Sequence, residues 1–193
     1  NNLGNAYDEV ADYKKAKQYY EQALEIRIEK LGDQHEGVAD LYLNLGSLLK
    51  EKKDPEAEEL HKKALAIYQK TLSSEDIKLS YIYNNLGNFY ADERNYPAAE
   101  EFMKKALEIK EKNLGKCHPD LVMTQENLGK IFCQQDKLDM AEEIFNRGLI
   151  SLHRVLGDSN ERVASIHNCL GVLMNKKGDF ESGIRHYKKA LKI

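Results

Sequence analysis

The sequence predicts an all-α protein: a right-handed α-solenoid of about five antiparallel helix pairs, running as a single array through residues 1–193. Three observations predict it. The pair Leu-Gly recurs at Leu3-Gly4, Leu45-Gly46, Leu86-Gly87, Leu128-Gly129 and Leu170-Gly171, so the glycines stand 42, 41, 42 and 42 residues apart. A small residue followed by leucine returns in step, at Ala23-Leu24, Ala64-Leu65, Ala106-Leu107, Gly148-Leu149 and Ala190-Leu191. Between these markers the apolar residues largely keep the three-to-four spacing of a helix face. A fixed period of this size marks stacked units, none of which can bury its apolar face alone.

The repeats divide at approximately 1–34, 35–74, 75–117, 118–159 and 160–193. In the first, Leu3, Gly4 and Tyr7 mark one helix and Ala16, Tyr20 and Ala23 the next; Leu31-Gly32-Asp33 reads as a helix stop, with glycine just past the last apolar residue. The second repeat is one residue short, lost in the turn Lys52-Lys53-Asp54-Pro55, where Pro55 suits a helix opening. Its stop is Leu72-Ser73-Ser74, and Ser73, three residues before Asp76, reads as a loose capping box. In the third, a helix from about Asp76 to Glu93 carries Ile77, Leu79, Ile82, Leu86, Phe89 and Tyr90. The turn Arg94-Asn95-Tyr96-Pro97 follows, then a helix with Ala99, Phe102, Met103, Ala106, Leu107 and Ile109, stopped at Leu114-Gly115-Lys116. The fourth repeats the plan through Phe132, Ala141 and Phe145 to the stop Leu156-Gly157-Asp158; the fifth carries Gly183 and Tyr187. Glycine costs about 1 kcal/mol against alanine inside a helix. Five equivalent glycines therefore predict a helix approach too close for a side chain, with aromatic residues filling the gaps between helices.

The order of these markers resembles the tetratricopeptide repeat, most clearly in Leu3, Gly4, Tyr7, Ala16, Tyr20 and Ala23. The period exceeds the usual 34 residues of that family and is similar to the lengthened repeats of kinesin light chains, as in Asn84-Asn85-Leu86, Ala106-Leu107-Glu108-Ile109 and Leu114-Gly115-Lys116-Cys117-His118-Pro119-Asp120. The resemblance implies a binding scaffold whose first helices line a concave groove. Its groove-facing positions, two before and one after each glycine, hold Asn2 and Asn5, Asn44 and Ser47, Asn85 and Asn88, Asn127 and Lys130, and Cys169 and Val172. Asp8, Lys50, Ala91, Cys133 and Asn175 come next, with Asp40, Tyr81, Met123 and Ser165 one turn upstream. An Asn amide donates and accepts at once, so a ladder of them suits a peptide backbone; the alternative is that they only fix repeat stacking. The expected centre is repeats two to four: Asn44, Ser47, Tyr81, Asn84, Asn85, Asn88, Asn127 and Lys130. A clamp for chaperone carboxylate tails, which needs cations beside two Asn, is not expected, because Asn1, Tyr81 and Asn85 stand where the cations belong.

The chemistry of an enzyme is not expected. No phosphate-binding glycine loop, nucleophile elbow or HExxH is present, and the six histidines lack metal-ligand spacing. His153 and His167 flank one junction and are expected to serve structure. Neither cofactor nor metal is anticipated. A net charge of -3 and a pI near 6.1 argue against nucleic acid or an anionic membrane as the main partner. Three sparse cysteines fit an intracellular, cytoplasmic setting. The acidic runs at the starts of second helices, followed one turn later by lysine pairs, read as solvated helix faces. A partner protein or peptide is thus expected, in the manner of a cargo adaptor. The rival readings are a spacer that self-associates end to end, or a regulatory platform for an enzyme domain elsewhere in a longer protein. The chain opens on Asn1 in mid-pattern, which reads as a piece of such a protein.

Overall fold

A computed structural model of the protein describes residues 2–51, 54–157 and 160–193. The shortened turn at Lys52 and Lys53, Asp158 after the fourth helix stop, and Asn1 lie outside the described residues. The described chain is helical throughout, as the repeat predicts. It divides into two compact units, one up to Phe89 and one from Tyr90 onward.

The first unit contains α1 (Asn2–Glu9) packed on α2 (Tyr13–Leu31), α3 (Glu36–Glu51) packed on α4 (Glu56–Thr71), and most of α5 (Ile77–Asp92). Its core joins Ala16 and Tyr20 of α2 to Leu41, Leu45, Leu48 and Leu49 of α3 and Ala57 and Leu60 of α4, with Tyr7, Tyr13 and Phe89 at the edge. The second unit holds the end of α5, α6 (Tyr96–Leu114), a short 3-10 turn at Pro119–Leu121, α7 (Val122–Gln134), α8 (Leu138–Leu156), α9 (Glu161–Lys177) and α10 (Phe180–Ala190). Here α7 packs on α8, α9 on α10, and the first helices α7 and α9 touch one another. Second helices α2, α6 and α8 each run 19 residues, which is where much of the lengthened period goes.

One hydrogen bond recurs at the turn inside each repeat. An amide just past the first helix reaches back five residues to a carbonyl: Asp12 to Tyr7, Asp54 to Leu49, Asn95 to Tyr90, Lys137 to Phe132 and Asp179 to Met174, all between 2.8 and 3.0 Å. Where the preceding residue is described, it stands in the left-handed region. Ala11, Arg94 and Asp136 accept that conformation at φ of 58–60°, and only the fifth repeat supplies a glycine, Gly178. The closing residue then caps the second helix: Asp12 accepts from the Lys15 amide, Asn95 from Ala98, and Asp179 from Ser182. Pro97 sits in the first turn of α6, as its sequence position predicts.

One expectation is corrected in detail. Asp76 Oδ1, not the Ser73 hydroxyl, takes the Lys78 amide at the start of α5, while Ser73 contributes only its carbonyl, to the Asp76 N–H. An aspartate one residue before a helix is a better acceptor than a serine four residues before it. The repeat glycines stand, as expected, where the paired helices come too close for a side chain. Four of them seat a ring from the second helix of their own repeat: a Cβ on Gly4 would lie 2.5 Å from the Tyr20 ring, and one on Gly171 2.5 Å from Tyr187. Gly129 seats Phe145 likewise, and Gly46 seats the imidazole of His61, with a Cβ contact of 2.7 Å. The stops at Gly32, Gly115 and Gly157, with φ of 72–83°, are those the sequence marks.

Candidate binding face of the first helices

In the first unit, α3 and α5 are joined by the residues expected to face a ligand. Asn85 Nδ2 donates to Ser47 Oγ at 3.0 Å, and the Ser47 hydroxyl donates onward to the Leu43 carbonyl at 2.9 Å. Asn85 therefore spends its amide on stacking one repeat on the next. Asn84 is buried, 5% exposed, and faces the core. Asn44 and Asn88 are half-buried, and Tyr81 stands out at 53% exposure. Asp40, one turn upstream, accepts the Tyr68 hydroxyl at 2.6 Å; burial, with Asp40 beside it, holds that phenol well above its usual pKa.

In the second unit, the corresponding face of α7 and α9 is organised by a residue the sequence reading passed over. Glu126 is only 17% exposed by its side chain and collects three donors: Lys130 Nζ at 2.5 Å, the Ser165 hydroxyl at 3.0 Å and the Cys169 thiol at 3.8 Å. Lys176, further along α9, donates to the Cys133 carbonyl at 2.8 Å. Together with Phe145 below, these residues line a pocket of about 350 Å³ rimmed by Val172, which is 49% exposed. Burial, then the Glu126 carboxylate, pushes the Cys169 thiol up to about 12, and burial raises Cys133 as well. Both thiols stay protonated near neutrality and behave as polarisable wall, not as nucleophiles. Asn127 is half-buried and Lys130 exposed. This pocket shares Lys130 with the expected centre and takes the rest of its lining from the fourth and fifth repeats. The signal that could have found it is the glutamate three residues before Gly129, a helix turn from Lys130 and level with Ser165 of the next repeat.

The histidines fall into three structural roles. Those at the junctions cap: His35 Nδ1 accepts from the Gly37 amide at 3.0 Å and His118 Nδ1 from Asp120 at 3.2 Å. His61 is fully buried in the slot that holds Tyr20, Met103, Phe145 and Tyr187 in the other repeats; neither ring nitrogen makes a hydrogen bond of good geometry, and the Leu43 backbone nearby offsets only a small part of the burial. The sequence reading missed this because the one-residue deletion in the second repeat moves the slot by one position. Burial, reinforced by Lys50, lowers the His61 pKa to about 4. His167 approaches His186, with the two Nδ1 atoms 3.1 Å apart, and His153 lines one pocket with both. Burial, and next the partner imidazole, lowers His167 to about 4; burial, and next Lys189, lowers His186. The Glu-Lys pairs anticipated on the second helices are formed, as in Lys62–Glu58 at 2.6 Å and Lys63–Glu59 at 2.8 Å.

Paired helices closed by a repeated turn, four of the pairs seating a ring on a glycine, define a helical repeat solenoid of the interaction-scaffold class. The chain belongs to the tetratricopeptide repeat family, whose profile matches residues 1–70 and 79–149. Among solved structures it is similar to BtubC (BKLC) from P. vanneervenii, with a TM-score of 0.88 and 23% identity over 98% of this chain and 76% of that one. A protein from Podosopora anserina assigned to the kinesin light chains, with nearly identical TPR-like repeats, gives a TM-score of 0.86 at 19% identity over 99% and 91% of the two chains. Pseudomonas aeruginosa pilF gives 0.72 at 23% identity over 99% and 73%. At these identities the likeness shows the fold. No curated protein matches the sequence. Among the described residues no helix is long and apolar enough to cross a membrane.

Proposed function

We propose that this array holds a segment of a partner protein against the first helices of its repeats, with an apolar side chain of that segment seated in the α7–α9 pocket. The observation that carries the reading is the pocket itself: its floor is Phe145 and two protonated cysteines, its walls are Glu126, Lys130 and Lys176, and Val172 stands exposed at its rim. Concave sites of a few hundred cubic ångströms with apolar floors and few convergent polar groups are where ligands bind. On the first unit, the Tyr81 ring stands exposed on α5, while Asn85 serves the stacking of α5 on α3. The narrower form of the proposal is a cargo adaptor like the kinesin light chains, acting by binding and not by catalysis.

The test is to pan a library of peptides from natural disordered regions against the protein, against Val172→Arg, and against Asn85→Ala with Asn88→Ala. A shared motif that survives the asparagine pair but is lost with Val172→Arg supports the pocket. A motif lost only with the asparagines moves the site to α3 and α5, and no enrichment by a folded protein refutes peptide capture. Self-association is the second reading, favoured by the exposed Phe180, Ile184 and Leu191 at the last helix. A solution mass that rises with concentration would support it.

A further inference from the structure

We infer that His167 of α9 and His186 of α10 form a two-histidine chelate for a late first-row divalent cation, of the class of Cu²⁺, Ni²⁺ and Zn²⁺. The inference is independent of the peptide-binding reading. Its basis is the 3.1 Å between the two Nδ1 atoms, on rings inclined by 44° with centroids 5.2 Å apart. Metal–imidazole bonds run about 2.0–2.1 Å. Two such bonds across that gap subtend about 100° at the metal, between the right angle of an octahedral site and the wider angle of a tetrahedral one. The two ligands sit on packed neighbouring helices of one unit, so the fold holds the rings together and only a small turn of each is needed to aim both at one metal.

Without a metal, one Nδ1–H donates to the bare Nδ1 of the other ring. Metal binding moves that proton to the Nε2 of the same ring, leaving two Nδ1 lone pairs to bond the cation, and no proton is lost from the neutral pair. Both rings line a pocket of about 620 Å³, which leaves room for water to complete the coordination. His153 lines the same pocket, yet among the described residues no three His, Cys, Asp or Glu side chains stand close enough to share a metal. The protein therefore supplies two ligands.

The surroundings decide which cations qualify. Lys189 and Lys192 line the pocket, and Arg185 also acts on His186; Glu142 opposes them. A net positive rim repels every cation alike. Mg²⁺ and Ca²⁺, which want oxygen ligands, gain nothing from imidazole to offset that repulsion. Cu²⁺, Ni²⁺ and Zn²⁺ do, and among them Cu²⁺ binds most tightly.

The experiment is calorimetric titration of the whole protein with Cu²⁺, Ni²⁺, Zn²⁺ and Mg²⁺, repeated with His186→Asn and His153→Asn. The expected result is one site per chain with Cu²⁺ tightest and Mg²⁺ silent. His186→Asn should weaken it by at least about tenfold, the scale on which removing even an outer-shell partner acts, and His153→Asn should leave it unchanged. Unaltered binding in His186→Asn, or equal loss in His153→Asn, overturns the assignment. Ring-proton NMR of the unmutated protein needs no variant. Added Ni²⁺ should broaden His167 and His186 before the other histidines, and broadening that spares this pair overturns it equally.

Discussion

Replacing His61 with phenylalanine should stabilise the first unit and flatten its pH dependence. His61 is fully buried, neither ring nitrogen makes a hydrogen bond of good geometry, and its glycine seat elsewhere holds Tyr20, Phe145 or Tyr187. An unpaired buried polar group costs about 1–3 kcal/mol, and the phenyl ring removes it while keeping the ring on Gly46. The larger ring returns part of that gain as overpacking, so a net rise of about 1 kcal/mol at pH 7 is expected. The pH effect is larger and has a definite sign. Burial lowers the folded pKa from 6.5 to about 4, so the unfolded chain takes the proton more readily. Stability is full above pH 6.5 and is lost as pH falls toward 4. At about 1.4 kcal/mol per tenfold, the loss attributable to His61 between pH 7 and pH 5 is about 2 kcal/mol. The assay is urea denaturation of wild type and His61→Phe at both values. His167 and His186 titrate in both proteins, so the difference between the two slopes isolates His61. Equal slopes would refute the reasoning, since they would mean that the folded state keeps this imidazole hydrated or paired.

Two further substitutions test the repeat geometry. Gly129→Ala pushes a methyl group into the Phe145 ring and should destabilise the second unit by about 1–3 kcal/mol in the same assay, with helicity retained. Arg94→Gly relieves a left-handed residue at the turn before α6; the conformational cost of about 1–2 kcal/mol, less the extra freedom that glycine gives the unfolded chain, predicts a gain of about 0.5–1 kcal/mol. Gly178→Ala, at the equivalent turn of the fifth repeat, should lose a similar amount. A loss in Arg94→Gly would show that its side chain, not its backbone, matters there.

Much of the architecture was legible because it is periodic. Leu86-Gly87 and its four counterparts fix where each first helix lies, and Gly32, Gly115 and Gly157 stop helices at a positive φ that other residues adopt only at a cost. The binding face was less legible. Asn84 and Asn85 are neighbours of the same type, yet one is buried and the other bonds Ser47, because a 100° step around the helix separates core from repeat junction. Glu126 was invisible as a centre because its donors Ser165 and Cys169 come from the next repeat, 39 and 43 residues on.

The sequence by itself determined the class of fold, the number and phase of the helix pairs, and the turns between them, all of which depend on residues near one another along the chain. Only the tertiary structure decided which polar groups meet. His61 became a buried ring on Gly46, His167 met His186 at hydrogen-bond distance, and Glu126 drew three donors around one pocket. Those outcomes depend on where neighbouring helices present their side chains in space, at distances of a few ångströms that spacing along a chain does not encode.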